Sequence, residues 1–449
     1  MALPPGPPLP AAAQAALYMV RPFEFLDRMV RRYGDVFTVR FPVFGTMVCA
    51  SRPEANRELF TGDPDLLRVG EGNEPFRPVV GDGSILLLDG PPHVFQRRVM
   101  APLFHGDRAG EHTETIRDVT ARAIARWPVG RPIALHPEVQ AITLDVILRA
   151  VLGMDDGPAL DATRDALGVL LRSNTSFFAS LLLVPAFQRD LGPLTPWAAF
   201  RRDMDRCDAL VLAHIARRRG EPVSARKDVL ARLLGILVDE GIAMSDVELR
   251  DILMTLIVAG HETTATALCW AFECLLSAPS VTARILDELH EVTAGAPLSA
   301  EHADRLDYLD AVVKEVLRLY PVVPIIGMGR KLTAPTRFEG YDLPAGVKIV
   351  PCVYATHRRP ELYPEPERFR PERFLDAKVD PYAWLPFGGG VRRCLGLAFA
   401  LHELKVVVAT MLLRARLRLV RRSPLRAAMH GVTIAPEGGT HVEIERLRG

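Results

Sequence analysis

A chain of 449 residues, 49% hydrophobic and 24% charged, has the balance of a globular protein able to bury a large core. Its 55 basic and 54 acidic side chains nearly cancel, which argues against nucleic-acid binding through bulk charge. Six cysteines are too few for a disulfide framework at this length.

In chain order, residues 1–10 are rich in proline and predict an extended N-terminal arm. They carry neither a basic region nor an apolar run, so they do not read as a signal peptide, and a reducing cytoplasm is the expected location. Residues 35–41 and 46–50 flank Pro42 and Gly45 and predict a strand pair. From about Pro53 to Leu319 helix-type spacing dominates, broken by glycine and proline clusters at 70–83, 90–92 and 192–196. Strand signals return at 336–350, 432–435 and 441–445. The most apolar stretches, 177–187, 252–260 and 406–413, fall short of the roughly 18 residues a spanning helix needs, so core helices and no membrane anchor are expected. With no repeat and no linker, the expectation is one domain over 1–449, mainly α with small β-sheets.

The most informative segment is Phe387-Gly-Gly-Gly-Val-Arg-Arg-Cys-Leu-Gly396. Three glycines allow a tight loop that gathers backbone N–H groups. Cys394 follows, and an apolar-periodic helix is predicted from about Leu395 to Leu413. A thiol at a helix N-terminus has its thiolate stabilised by free N–H groups. Gly396 removes a side chain where something flat could approach, which suggests an axial ligand to haem iron. A buried structural cysteine, or a nucleophilic thiol with a positioned histidine, are the competing readings. Cys49, Cys207, Cys269, Cys274 and Cys352 have no comparable setting.

The segment resembles the cytochrome P450 family, the haem-thiolate monooxygenases, whose Phe-x-x-Gly-x-Arg-x-Cys-x-Gly pattern it matches at Phe387, Gly390, Arg392, Cys394 and Gly396. Three further motifs occur in the family's order, so the resemblance covers essentially the whole chain. It implies the family's fold as a single haem-binding domain, haem b as cofactor and Cys394 as the iron ligand.

Ala259-Gly-His-Glu-Thr-Thr264 lies in a predicted helix from about Asp251 to Leu276. Residues four apart share a face, so Ala259 and Thr263 point the same way, and small Ala259 and Gly260 leave room beside a flat ligand. A threonine hydroxyl within a helix can bond back to a carbonyl and loosen the ladder. The resemblance makes Glu262 and Thr263 the acid and alcohol that deliver protons during oxygen activation. His261 fills the motif's variable slot and is expected to be structural.

Glu315 and Arg318 share a face of the predicted helix 311–319. By the resemblance, Arg373 in Phe369-Arg-Pro-Glu-Arg-Phe374 joins them in a cluster supporting the haem loop. Arg392, the helical pair His93 and Arg97, and Arg330 are the expected partners of the haem carboxylates; His93 stands where the family often has Trp.

No flavin or iron–sulfur domain follows the cysteine helix, so electrons are expected from a separate ferredoxin or flavodoxin, docked on a basic face of Arg97, Arg98, Arg393 and Lys405. Segments resembling the family's recognition regions are 71–88, 174–187, 256–259, 322–327 and 434–440. They are apolar and imply hydroxylation of a sizeable hydrophobic molecule, a fatty acid, terpenoid, steroid or polyketide-like compound, with a tilt toward the first two. The alternative within the same fold is a peroxide-using hydroxylase or a haem-thiolate isomerase. A non-catalytic haem sensor and a haem-free cysteine hydrolase are the more distant rivals.

Overall fold

The computed structural model describes residues 3–104, 106–173, 188, 192, 195–222, 226–325, 329–375, 379–420 and 425–448. Helices dominate, with small sheets at the margins, as expected for a mainly α chain. The longest helix, Asp246–Ser277, begins five residues before the predicted start. The reason is a capping box: Ser245 Oγ accepts the Glu248 N–H at 3.2 Å, and Glu248 Oε2 accepts the Ser245 N–H at 2.8 Å. Among the described residues this is the one helix long and apolar enough to cross a membrane, and it is mostly buried within the protein. Its 32 residues span about 48 Å.

The helix Leu135–Ala150 runs along it. Gly260 permits this contact, because a Cβ there would stand 2.5 Å from Ile147 Cδ1. The sequence reading gave Gly260 to a flat ligand; in the fold the end of the Ile147 side chain also packs against it. The second core helix, Leu397–Arg414, starts two residues later than predicted, with Gly396 as its N-cap.

The five-stranded sheet has the order Val36–Phe41, Gly45–Ala50, Lys348–Pro351, Arg330–Leu332, Leu67–Arg68. The predicted N-terminal strand pair is present and antiparallel, with Phe37 opposite Cys49. The proline arm is extended and docked on it, with Thr38 N–H donating to Pro5 O at 2.9 Å. The two C-terminal strands do not pair with each other. Thr433–Pro436 pairs with Ala427–His430, whereas His441–Leu447 lies between Pro132–Ala134 and Ala415–Leu419.

A buried ion network ties the helix Asp307–Leu319 to the loop that leads toward Cys394. Arg318 grips Glu315 bidentately, at 2.6 and 2.8 Å, and both side chains are fully buried. Arg373 Nε reaches Glu315 Oε1 at 3.3 Å, and the Arg370 N–H reaches the same oxygen at 2.9 Å. Arg318 also donates to His357 O and Pro366 O, at 2.8 and 2.9 Å. The three sequence-predicted residues are thus brought together. Buried charge is tolerable because every group is bonded.

Removing the carboxylate while leaving Arg318 buried should destabilise the protein by about 3–5 kcal/mol. The expected result for Glu315→Ala is a large fall in the urea midpoint together with loss of haem; an unchanged midpoint would contradict this role.

Candidate active site

The loop before Cys394 turns on Gly388 and Gly390, both with positive φ, at 67° and 61°. Gly390 also lies against Phe60, whose carbonyl oxygen would be 2.1 Å from a Cβ. The Phe387 carbonyl accepts the Cys394 N–H at 2.9 Å and closes the loop, while the Phe387 ring stands edge-on to Trp384. No atom lies within 4 Å of where a Gly396 Cβ would be, so the space beside the cysteine is open.

Cys394 is exposed on the surface of that space. Burial pushes its thiol up; the Gly396 N–H, Arg97 and Arg393 offset only part of this. The sequence reading expected the helix N-terminus to favour the thiolate; burial opposes it, and a metal cation would favour ionisation further.

Cations gather beside it. Arg330 is 4% exposed and lies over the Phe60 ring, with its guanidinium carbon 4.5 Å from the centroid. Burial, with Arg392 adding to it, lowers its pKa to about 10. Arg97 is half-buried and, among the described residues, has no carboxylate partner. Arg392 is committed to protein: it donates to Ile85 O at 3.1 Å, Leu88 O at 2.6 Å and Asp89 Oδ1 at 2.6 Å. Asp89 itself accepts the N–H groups of Val69, Gly70 and Glu71. Burial, then Arg392 and Arg97, lower His93 to about 4. With that value it is neutral near pH 7 and can offer a ring N–H to a carboxylate.

The segment between these elements joins them. Ser84 accepts from Thr255 on the central helix at 2.7 Å, while Ile85 and Leu88 hold Arg392 of the cysteine loop. One turn along that helix Ala259 is exposed, although Ile257, His261 and Thr264 are buried. Thr263 Oγ1 bonds back to Ala259 O at 2.6 Å, as the sequence suggested.

Glu262 turns elsewhere. Its Oε1 takes His430 Nδ1 at 2.8 Å, His136 Nε2 at 3.2 Å and Thr266 Oγ1 at 3.2 Å; its Oε2 takes Gln140 Nε2 at 2.7 Å. Among the described residues it makes no hydrogen bond to Thr263. Burial pushes the carboxyl up, but the hydrogen bonds from His136 and His430 prevail and hold it well below the usual carboxylate range. His261 is buried, with Nδ1 unpartnered.

Sequence reasoning missed His136, Gln140 and His430, and also His357. The His357 ring donates through Nδ1 to Arg318 O at 3.1 Å and accepts the Leu385 N–H through Nε2 at 2.8 Å, linking the ion network to the cysteine loop. A lone histidine carries no motif, and nothing in the spacing marks it. Lys405 does not belong to a basic docking face: it is 12% exposed and donates to Ala303 O at 3.1 Å. Of the recognition segments, 174–187 and 326–327 lie outside the described residues. Segment 434–440 is the end of the hairpin strand Thr433–Pro436 and the turn after it, hydrogen-bonded to Trp270 and Cys269.

The donors fit a haem: a thiol facing open space, cations able to take carboxylates, and an alanine methyl exposed within a buried helix. The fold and site therefore define a haem-thiolate protein. The cytochrome P450 family model matches residues 4–441. The chain is 41% identical, over its whole length and 92% of the relative's, to "Putative cytochrome P450 135B1" of Mycobacterium tuberculosis. It is 35% identical to "Putative cytochrome P450 137" of the same organism, over 99% of this chain and 92% of that one. Cyanobacterial CYP120A1 with bound retinoic acid superposes with a TM-score of 0.82 at 25% identity, covering 99% of each chain. The haem domain of a mutant cytochrome P450DA superposes at 0.85 with 23% identity, covering 100% and 98%.

The chain belongs to the cytochrome P450 family. It is a haem- and iron-binding monooxygenase of the oxidoreductase class, with a hydrophobic substrate and a redox partner.

Burial, with Arg318 adding to it, lowers His357 from 6.5 to about 3. The unfolded chain takes up this proton first, so the stability it contributes is complete above pH 6.5 and declines as pH falls toward 3. His93, His261 and His402, each near 4, act in the same direction. The urea midpoint should fall between about pH 7 and about pH 5, and fall less steeply in His357→Gln. Equal slopes would contradict the assignment.

Proposed function

We propose that this monooxygenase hydroxylates a sizeable apolar molecule of the fatty-acid or terpenoid class, with Cys394 as the axial thiolate of a b-type haem. The observation that carries the reading is an exposed thiol on a glycine loop, with Arg97 and Arg393 acting on it electrostatically. Arg97 and Arg330 take the haem carboxylates, with His93 as an N–H donor and Arg392 bracing the loop through Asp89. Phe387, Gly396 and Ala259 shape the space. Glu315, Arg318 and Arg373 hold the loop in register. The retinoic acid bound by the cyanobacterial neighbour, an apolar chain with a carboxylate end, is in keeping with the substrate class.

When bound, the haem supplies dioxygen activation and oxidation of a C–H bond. The chain's own part is to position and protonate. Thr263 Oγ1, partly exposed and resting on the Ala259 carbonyl, is the donor nearest the open side of the central helix. Glu262 supplies charge behind it, with His136 and His430 as its hydrogen-bonded company.

The reading takes the chain as one domain working in the cytoplasm, with a ferredoxin or flavodoxin as electron donor. Arg98 and Arg393 are exposed, with Val94, Phe95 and Val391 exposed around them, and together they suit an acidic partner.

Replacing Thr263 with Ala removes the positioned hydroxyl. Product formed per electron pair should fall at least about tenfold, a threshold set below the roughly 100- to 10,000-fold that positioned proton transfer contributes. Unchanged coupling would overturn the reading and favour the peroxide-using or isomerase alternative, which needs no such donor.

A further inference from the structure

Three groups that no haem chemistry requires as a set converge behind the central helix. His136 comes from the helix Leu135–Ala150, Glu262 from the central helix and His430 from the strand Ala427–His430. Their ligand atoms all lie within 4.8 Å of one another. Two imidazoles and one carboxylate make the donor set that borderline divalent cations such as zinc take, with a further position left for water.

The surroundings are those of a built site. A partly open cavity of about 240 Å³ abuts the two imidazoles, with Glu437 and Gly438 also in its wall, so an ion has access and room for water ligands. Gln140 holds the other carboxylate oxygen at 2.7 Å, fixing the rotamer, and Thr266 steadies Oε1 at 3.2 Å. The His430 side chain is 31% exposed, so its second nitrogen can carry the ring proton when Nδ1 binds. Buried His261 directs an unpartnered Nδ1 to 4.0 Å from Glu262 Oε2.

We propose that His136 Nε2, Glu262 Oε1 and His430 Nδ1 form a binding site for a divalent transition cation of the zinc class. Its consequence rests on the role proposed for Glu262: a cation on Oε1 removes that oxygen from proton handling. Occupancy then lowers product formed per electron pair without displacing haem. The site is a brake on coupling, built about 100° around the central helix from Thr263.

The test is equilibrium dialysis of the haem-loaded protein against zinc, with metal counted per chain, alongside calorimetric titration. The expected result is about one zinc per chain, with affinity weakened at least about tenfold in His430→Ala and in His136→Asn. Both variants are first checked for an unchanged haem spectrum, which shows that they fold. Binding that does not saturate near one per chain, or that both variants retain, overturns the site. The binding measurement does not depend on turnover. Zinc bound as expected with coupling unchanged would therefore overturn the role given to Glu262 and leave the site standing.

Discussion

A negative charge on sulfur is costly where protein excludes water, and that cost shapes the region around Cys394. The backbone N–H of Gly396 and the guanidinium groups of Arg97 and Arg393 recover only part of it, so the free thiol is held protonated. A bound iron cation supplies the remainder. Ligand and cofactor thus depend on each other: the loop places the sulfur where burial opposes its charge, and the metal makes its ionisation favourable. The excess of cations nearby follows the same logic. Burial lowers the pKa of both Arg97 and Arg330, and the two carboxylates of a b-type haem would offset that cost.

The cysteine loop is held by a chain of contacts, none of which is strong by itself. Glu315 and Arg318 form a fully buried pair, Arg318 passes its carbonyl to His357, and His357 takes the Leu385 N–H two residues before Phe387. Buried ion pairs add little net stability compared with apolar packing, because desolvation consumes the Coulombic gain. What this one contributes is geometry: each removed partner leaves another group unsatisfied, so the loop has one low-energy arrangement. A thiol misplaced by 1 Å would present the wrong face to the iron, which gives the fold a reason to retain expensive buried charge.

Much of this was legible in the sequence where chemistry is local. The glycines and Cys394 lie within ten residues; Ala259 and Thr263 are one helical turn apart; Glu315 and Arg318 share a face by spacing alone. What stayed hidden depends on tertiary proximity. His136 and His430 stand 126 and 168 residues from Glu262 and meet it only because a helix and a hairpin pack behind the central helix. A pattern also does not say what faces a small residue: the Ile147 side chain beside Gly260 became visible only in the fold. Lys405 looked like surface charge because its burial against Ala303 is set by a different helix. The two C-terminal strands were legible as strands but their partners were not, since strand partners are chosen by topology and not by sequence nearness.

The most direct measurement is the absorption spectrum of the freshly prepared protein after reduction and treatment with carbon monoxide. The account expects the strongly red-shifted Soret band that an anionic sulfur ligand imposes, abolished when Cys394 is replaced by His while haem remains bound. A band at the ordinary position of a haem with a neutral axial ligand, in well-folded protein, would contradict it.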